Sequence, residues 1–158
     1  MTQAIRKFLA LPRNERWLLV QALTTLPLVT LSLRAIGLRR CCLALERLLQ
    51  TPGESMFTET SARYLGTRMG WLVRVASTHG LFRANCLAQS LTIWCLLRRQ
   101  GIPVSLRIGV RKQQGRLEAH AWTEHQTRVL NDDANIASRY SPFGNVHEVF
   151  EIRGADTP

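Results

Sequence analysis

Apolar side chains recur at helical spacing through the first half of this chain and alternate with polar ones through much of the second. "RKFLALPRNERWLLVQALTTLPLVTLSLRAIGLRR" opens with a short helical turn, breaks at Pro12 and restarts near Asn14, a residue type suited to cap "ERWLLVQAL". From Trp17 to Leu33 there is no charge, a length at the lower edge of a membrane span. Gln21, Thr24, Thr25, Thr30 and Ser32 interrupt that run and Pro27 predicts a kink, so a helix pair that is buried or faces a partner is preferred to membrane contact. "RRCCLALERLLQ" extends the helix, with Cys41 and Cys42 as small packing residues. "TPGES", Thr51 to Ser55, reads as a linker, and "FTETSARYLGTRMGWLVRVAST" as a further helix weakened by Gly66 and Gly70.

The period changes after residue 85. Leu87, Leu91, Trp94, Cys95 and Arg98 fall at helical spacing, which predicts a helix from about Cys86 to Gln100, with Gly101 as its C-cap and Pro103 preventing its continuation. Val104, Leu106, Ile108 and Val110 then alternate with polar or small residues, "RKQQGR" makes a turn, "LEAHAWTE" alternates again and "RVLND" follows closely. The expected fold is therefore α+β: an N-terminal helical region over 1–50, then a core over 56–158 in which the cysteine helix packs on an antiparallel sheet, the two forming one compact unit.

The strand register carries candidate chemistry. If Glu124 pairs with Arg128 across a three-residue connection, His120 falls opposite Asp132 on the same face, where a carboxylate can orient the imidazole. A two-residue loop would set His120 opposite Asp133 instead, and both remain open on spacing alone. Cys86 begins a helix, where unsatisfied N–H groups and the dipole favour a thiolate; Cys95 lies well inside the same helix and reads as a core thiol. A cysteine alone would most often be packing, and it is the His and Asp on adjacent strands that make Cys86 a candidate nucleophile. His79 in a loop, His125 at a turn and His147 near the C-terminal strand read as surface residues.

Charge and cysteine usage narrow the classes. The net charge of +10 is almost all arginine, with Lys7 and Lys112 as the two lysines, and its excess lies in the first half, which suits an acidic partner or surface. No recognition helix, zinc-finger spacing or aromatic RNA-binding signature accompanies it, so nucleic acid is not an expected partner. The four cysteines show neither metal-ligand spacing nor a disulfide framework, and the first apolar run is followed by no cleavage signature; the expectation is a reduced, cytoplasmic protein without metal or cofactor.

"NCLAQSLTIWCLLRRQGIPVSLRIGVRK" and "LEAHAWTEHQTRVLND" together resemble the transglutaminase-like cysteine peptidases of lasso-peptide biosynthesis, the B proteins that remove the leader from a ribosomal precursor. "FLALPRNERWLLVQAL" is similar to the opening of the family's stand-alone form, so the resemblance runs over nearly the whole chain. It implies a papain/transglutaminase-like core with Cys86 as nucleophile, His120 as base and Asp132, rather than Asp133, as the carboxylate. It further implies that a precursor peptide of leader plus core is the substrate, that a separate leader-binding protein supplies recognition because this chain lacks room for that domain, and that a lasso cyclase takes the product. Cys86 N–H is the first expected oxyanion donor, with Asn85 or Gln89 as the second. Two other readings stay open: an acyl or amide transferase using the same Cys-His-Asp site, and a non-catalytic scaffold of the biosynthetic complex.

Overall fold

A computed structural model describes residues 6, 10–49, 57–80 and 84–145. The expected linker over Thr51 to Ser55 and the histidine at position 147 lie outside the described residues. Three long helices come first, α1 (Arg13–Leu48), α2 (Glu59–His79) and α3 (Cys86–Arg98). A sheet of β1 (Ser105–Gln113), β2 (Arg116–His125), β3 (Arg128–Val129) and β4 (Ser141–Asn145) follows, with the short helix α4 (Ile136–Arg139) before its last strand. Strand order is β3-β2-β1-β4, antiparallel throughout, so the α+β expectation holds.

The helical half differs from expectation at three points. Pro12, not Asn14, occupies the N-cap position of α1 and supplies no side-chain cap, while Asn14 lies inside the first turn. Proline just ahead of the helix is tolerated because the first amides have no intrahelical acceptor. Pro27 is carried inside the helix, and the break falls at Gly37, whose φ of 75° and ψ of 170° leave the helical region at little steric cost for glycine. On α2, Thr58 caps the N-terminus by accepting from Ser61 N–H. His79 ends that helix rather than sitting in a loop.

One hydrophobic core joins both halves. Leu19, Ala22, Leu26 and Val29 of α1, Met69, Leu72 and Val73 of α2, and Leu91, Ile93 and Leu97 of α3 pack together with Leu106 of β1 and Leu130. Cys41, Cys42 and Cys95 are buried in the same cluster as small apolar groups. Burial pushes all three thiols up, Cys42 to about 12 with help from neighbouring Cys41 and Glu46. A partly buried ion pair pins α1 to α2: Arg68 Nε donates to Glu15 Oε1 at 2.8 Å, and its Nη2 to the other carboxylate oxygen. Away from this core α1 exposes Trp17, Leu28 and Leu31, and it is long and apolar enough, by length and composition alone, to cross a membrane.

Candidate active site

Helix α3 begins where the sequence places it, because Asn85 is a strong cap. Its Oδ1 accepts from Ala88 N–H at 2.9 Å, leaving the amides of Cys86 and Leu87, among the described residues, as the uncapped donors of the first turn. Cys86 is half-buried, unlike the three sealed cysteines, and among the described residues its sulfur makes no hydrogen bond. It lies one turn before Ser90 on the same helix face. Ser90 fastens α3 to β2 in both directions: its hydroxyl donates to Ala121 O at 2.9 Å, and Thr123 Oγ1 donates to its carbonyl at 2.9 Å. The nucleophile candidate thus starts a helix anchored beside His120.

His120 is held from three sides. Its Nε2 lies 2.7 Å from Asp132 Oδ2, the two side chains being about a quarter exposed. With Nε2–H given to the carboxylate, Nδ1 is the nitrogen left to take up or release a proton. The imidazole stacks against Trp122, with ring centroids 6.3 Å apart at 19°, and tilts against Tyr140 at 5.3 Å. Trp122 is fully buried and donates from Nε1 to Glu124 Oε1 at 2.7 Å, while Arg107 Nε donates to Glu124 Oε2 at 3.0 Å. That chain of contacts locks the ring against which the imidazole rests. Gly109 sits opposite His120 in the β1–β2 ladder. A Cβ there would lie 2.9 Å from Tyr140 Cβ and 3.0 Å from Trp122 Cη2, so only glycine leaves room for the aromatic pair to close.

Asp132 reaches His120 by a route that the strand pairing does not suggest. The β2–β3 connection is a two-residue turn at Gln126 and Thr127, with Glu124 opposite Val129 and His125 opposite Arg128. The three-residue connection expected from the sequence is therefore wrong, and this register, continued, would place Asp133 opposite His120. The ladder instead ends at Leu130, whose N–H donates to Thr123 O at 2.9 Å, and the chain turns so that Asp132 takes the imidazole. Asp133 is exposed and acts locally, with its Oδ1 accepting from Asn135 N–H at 3.1 Å and its own N–H donating to Asp132 Oδ1 at 2.7 Å.

Two side-chain expectations change. Gln89 cannot serve as an oxyanion donor as it stands, because its Nε2 donates to Ala84 O at 2.9 Å and to Ser77 Oγ at 3.1 Å, bracing the approach to the helix. Asn85 spends its Oδ1 on the helix cap. His125 is buried, not turn-exposed: its Nδ1 donates to Pro103 O at 2.7 Å, tying the end of β2 to the entry of β1. Residues with no role in the site expected from the sequence, Ser90, Gly109, Trp122, Glu124, Asn131 and Tyr140, form the frame around the three that it did single out. The alternation of "AHAW" was the available signal for Trp122, which it places on the His120 face.

Half-buried thiol, helix N-terminus and carboxylate-bound imidazole together suit nucleophilic acyl transfer. An open cavity of about 660 Å³ lined by Arg63, Thr67, His125 and Arg128 includes none of Cys86, His120 and Asp132. Among the described residues no group of three or more His, Cys, Asp or Glu side chains could hold a metal ion. No curated protein and no solved structure matches the chain. The family model described as the transglutaminase-like superfamily matches residues 25–145, which takes in most of α1, all of α2 and α3 and the whole sheet. The chain belongs to the transglutaminase-like superfamily, whose members are typically cysteine-dependent peptidases and transferases.

Proposed function

We propose that this protein is a cytoplasmic cysteine peptidase that removes the leader from a ribosomally made lasso-peptide precursor. The observation that carries the chemistry is the His120–Asp132 pair at 2.7 Å on a strand fastened to the helix that Cys86 begins. The narrower substrate class rests on the resemblance of the cysteine-helix and histidine-strand motifs. Cys86 thiolate attacks the carbonyl at the leader–core junction, His120 protonates the departing amine of the core, and the acyl-enzyme is then hydrolysed by water that the same imidazole deprotonates. Asp132 keeps the imidazole in the useful tautomer and stabilises its cationic form. The amide of Cys86, uncapped at the helix start, is placed to donate to the developing oxyanion.

A separate leader-binding protein presents the precursor, and a macrocyclase consumes the released core. Such a presenting protein accelerates cleavage mainly by raising the effective concentration of the scissile bond at Cys86. The arginine-rich N-terminal half is the docking surface on this reading, so the acceleration weakens as salt is raised. Mass spectrometry of precursor incubated with both proteins tests the proposal: leader and core as separate products, lost with Cys86→Ala, are expected. Equal turnover with and without the partner would remove the partner from the scheme. Transfer of the acyl group to an amine uses the same site, and a product heavier than the hydrolysed leader by the acceptor amine less one water would favour it.

A further inference from the structure

The β2–β3 turn and the position of Asp132 do not fit one continuous ladder, and one side chain reconciles them. In the observed register Thr123 faces Leu130. Leu130 N–H donates to Thr123 O, as an antiparallel pair requires, and the reciprocal bond would run from Thr123 N–H to Leu130 O. It does not: Thr123 N–H donates to Asn131 Oδ1 at 2.8 Å. The carboxamide of Asn131 has taken the place of a backbone carbonyl in the ladder.

The displaced carbonyl has a prepared seat. A Cβ on Gly70 of α2 would lie 2.4 Å from Leu130 O, and one on Gly66 would lie 2.9 Å from the Leu130 side chain, so the two glycines let α2 lie directly against this segment. Arg74, one turn beyond Gly70, donates from Nη2 to Asn131 O at 2.7 Å. Asn131 Nδ2 donates to Ser90 Oγ at 2.9 Å, and that hydroxyl in turn donates to Ala121 O. One residue therefore joins α2, α3 and β2 immediately before Asp132.

We infer that Asn131 is the positioning residue of the site: by substituting its side chain for the main chain at Thr123, it releases the chain from the sheet early enough to present Asp132, rather than Asp133, to His120. A strand continuing past Leu130 would carry Asp133 opposite His120 and turn Asp132 to the other face. Gly70 and Arg74 complete the device by accepting the rotated backbone.

The inference rests on the proposed peptidase function only in its activity arm. The structural arm is NMR of the His120 ring in the full chain, following the proton held between Nε2 and its carboxylate. In the unaltered protein that signal should change with Asp132→Asn and not with Asp133→Asn. In the Asn131→Ala background, sensitivity should pass to Asp133→Asn, a non-additive exchange that mere loss of stability does not produce. Gly70→Ala, which drives Leu130 O back toward the sheet, should act in the same direction, and Asn131→Asp, which keeps the acceptor for Thr123 N–H, should retain part of the Asp132 dependence. If Asn131→Ala does not fold, Gly70→Ala carries the same measurement. In the activity arm, Asn131→Ala should lower kcat by about 10- to 100-fold with KM little changed, the penalty of misplacing a catalytic group by about an ångström. A ring signal that remains dependent on Asp132 alone in the Asn131→Ala and Gly70→Ala proteins would overturn the inference. Absence of cleavage by the unaltered protein would instead count against the peptidase reading and leave the NMR result to decide on Asn131.

Discussion

The two halves of the molecule divide the work unequally, and the division is not the one that their composition suggests. The second half, α3 with the sheet, holds Cys86, His120 and Asp132, and its side chains are set by short polar contacts: Asn85 on Ala88, Ser90 on Ala121, Trp122 on Glu124. The first half, α1 and α2, carries none of the three and is fastened mostly by burial of Leu, Val, Met and Cys side chains. Yet α2 touches the chemistry through Gly66, Gly70 and Arg74, which seat the segment leading to Asp132. A helical layer whose composition suggests a scaffold thus supports the segment that carries Asp132.

The largest effects should separate the halves cleanly. Cys86→Ala should abolish leader removal with the fold intact, since no second thiol lies at the helix start, and Cys95→Ala should leave most activity while lowering stability through a small cavity in the shared core. Cleavage assays on both variants, with circular dichroism as the control, check the pair. His120→Ala should match Cys86→Ala. Asp132→Asn should lower kcat by roughly 10²- to 10⁴-fold, because a neutral amide can no longer hold the imidazole tautomer or its cationic form. Asp133→Asn, at an exposed side chain, should change rate by less than about threefold.

Much of this arrangement was legible in the sequence, and the failures have physical causes. The cysteine helix and the alternating strands follow from local rules, because the residue types and the element agree. The β2–β3 connection was misread because its two left-handed residues are Gln126 and Thr127, φ 46° and 69°, where Asn-Gly or Asp-Gly is the usual signal. Tertiary pairing holds them in a conformation that their own preferences oppose, a β-branched threonine above all. Spacing therefore left Asp132 and Asp133 both open, reaching Asp132 only through the wrong register, and motif resemblance chose between them. Gly66 and Gly70 looked like weak points of a helix for a similar reason: local propensity cannot show that a carbonyl from residue 130 will press on them. The kink of α1 was placed at Pro27 rather than Gly37 because the sequence shows where a helix is allowed to break, not where its packing makes it break.

A smaller effect tests the aromatic frame within the second half. Gly109→Ala places a methyl within 3.0 Å of both Tyr140 and Trp122, so the pair must separate or β4 must move. The expected cost is about 1–3 kcal/mol of stability, as for overpacking elsewhere. Activity should fall further than stability alone explains, since both rings contact His120. Urea denaturation beside kcat at a temperature where the variant is fully folded distinguishes the two consequences. An alanine variant with normal kcat would mean that the rings merely fill space.

The smallest expected effect belongs to the helical half and appears only in alkali. Cys41, Cys42 and Cys95 share the core that joins α1 to α3, and burial raises all three above the ordinary thiol value, Cys42 to about 12. In the unfolded chain each ionises near pH ~9, so above that pH the unfolded state sheds protons that the folded state still holds. For Cys42 the stabilisation is therefore complete below about pH 9 and is lost progressively toward about pH 12, at no more than about 1.4 kcal/mol per pH unit, and Cys41 and Cys95 act in the same direction. Urea midpoints compared between pH 7.5 and pH 10 should fall for the unaltered protein and fall less for Cys42→Ala, although the variant starts from a lower stability at neutral pH. The same loss with pH in both proteins would show that Cys42 ionises freely, and with it that the contact between the two halves admits more water than its packing implies.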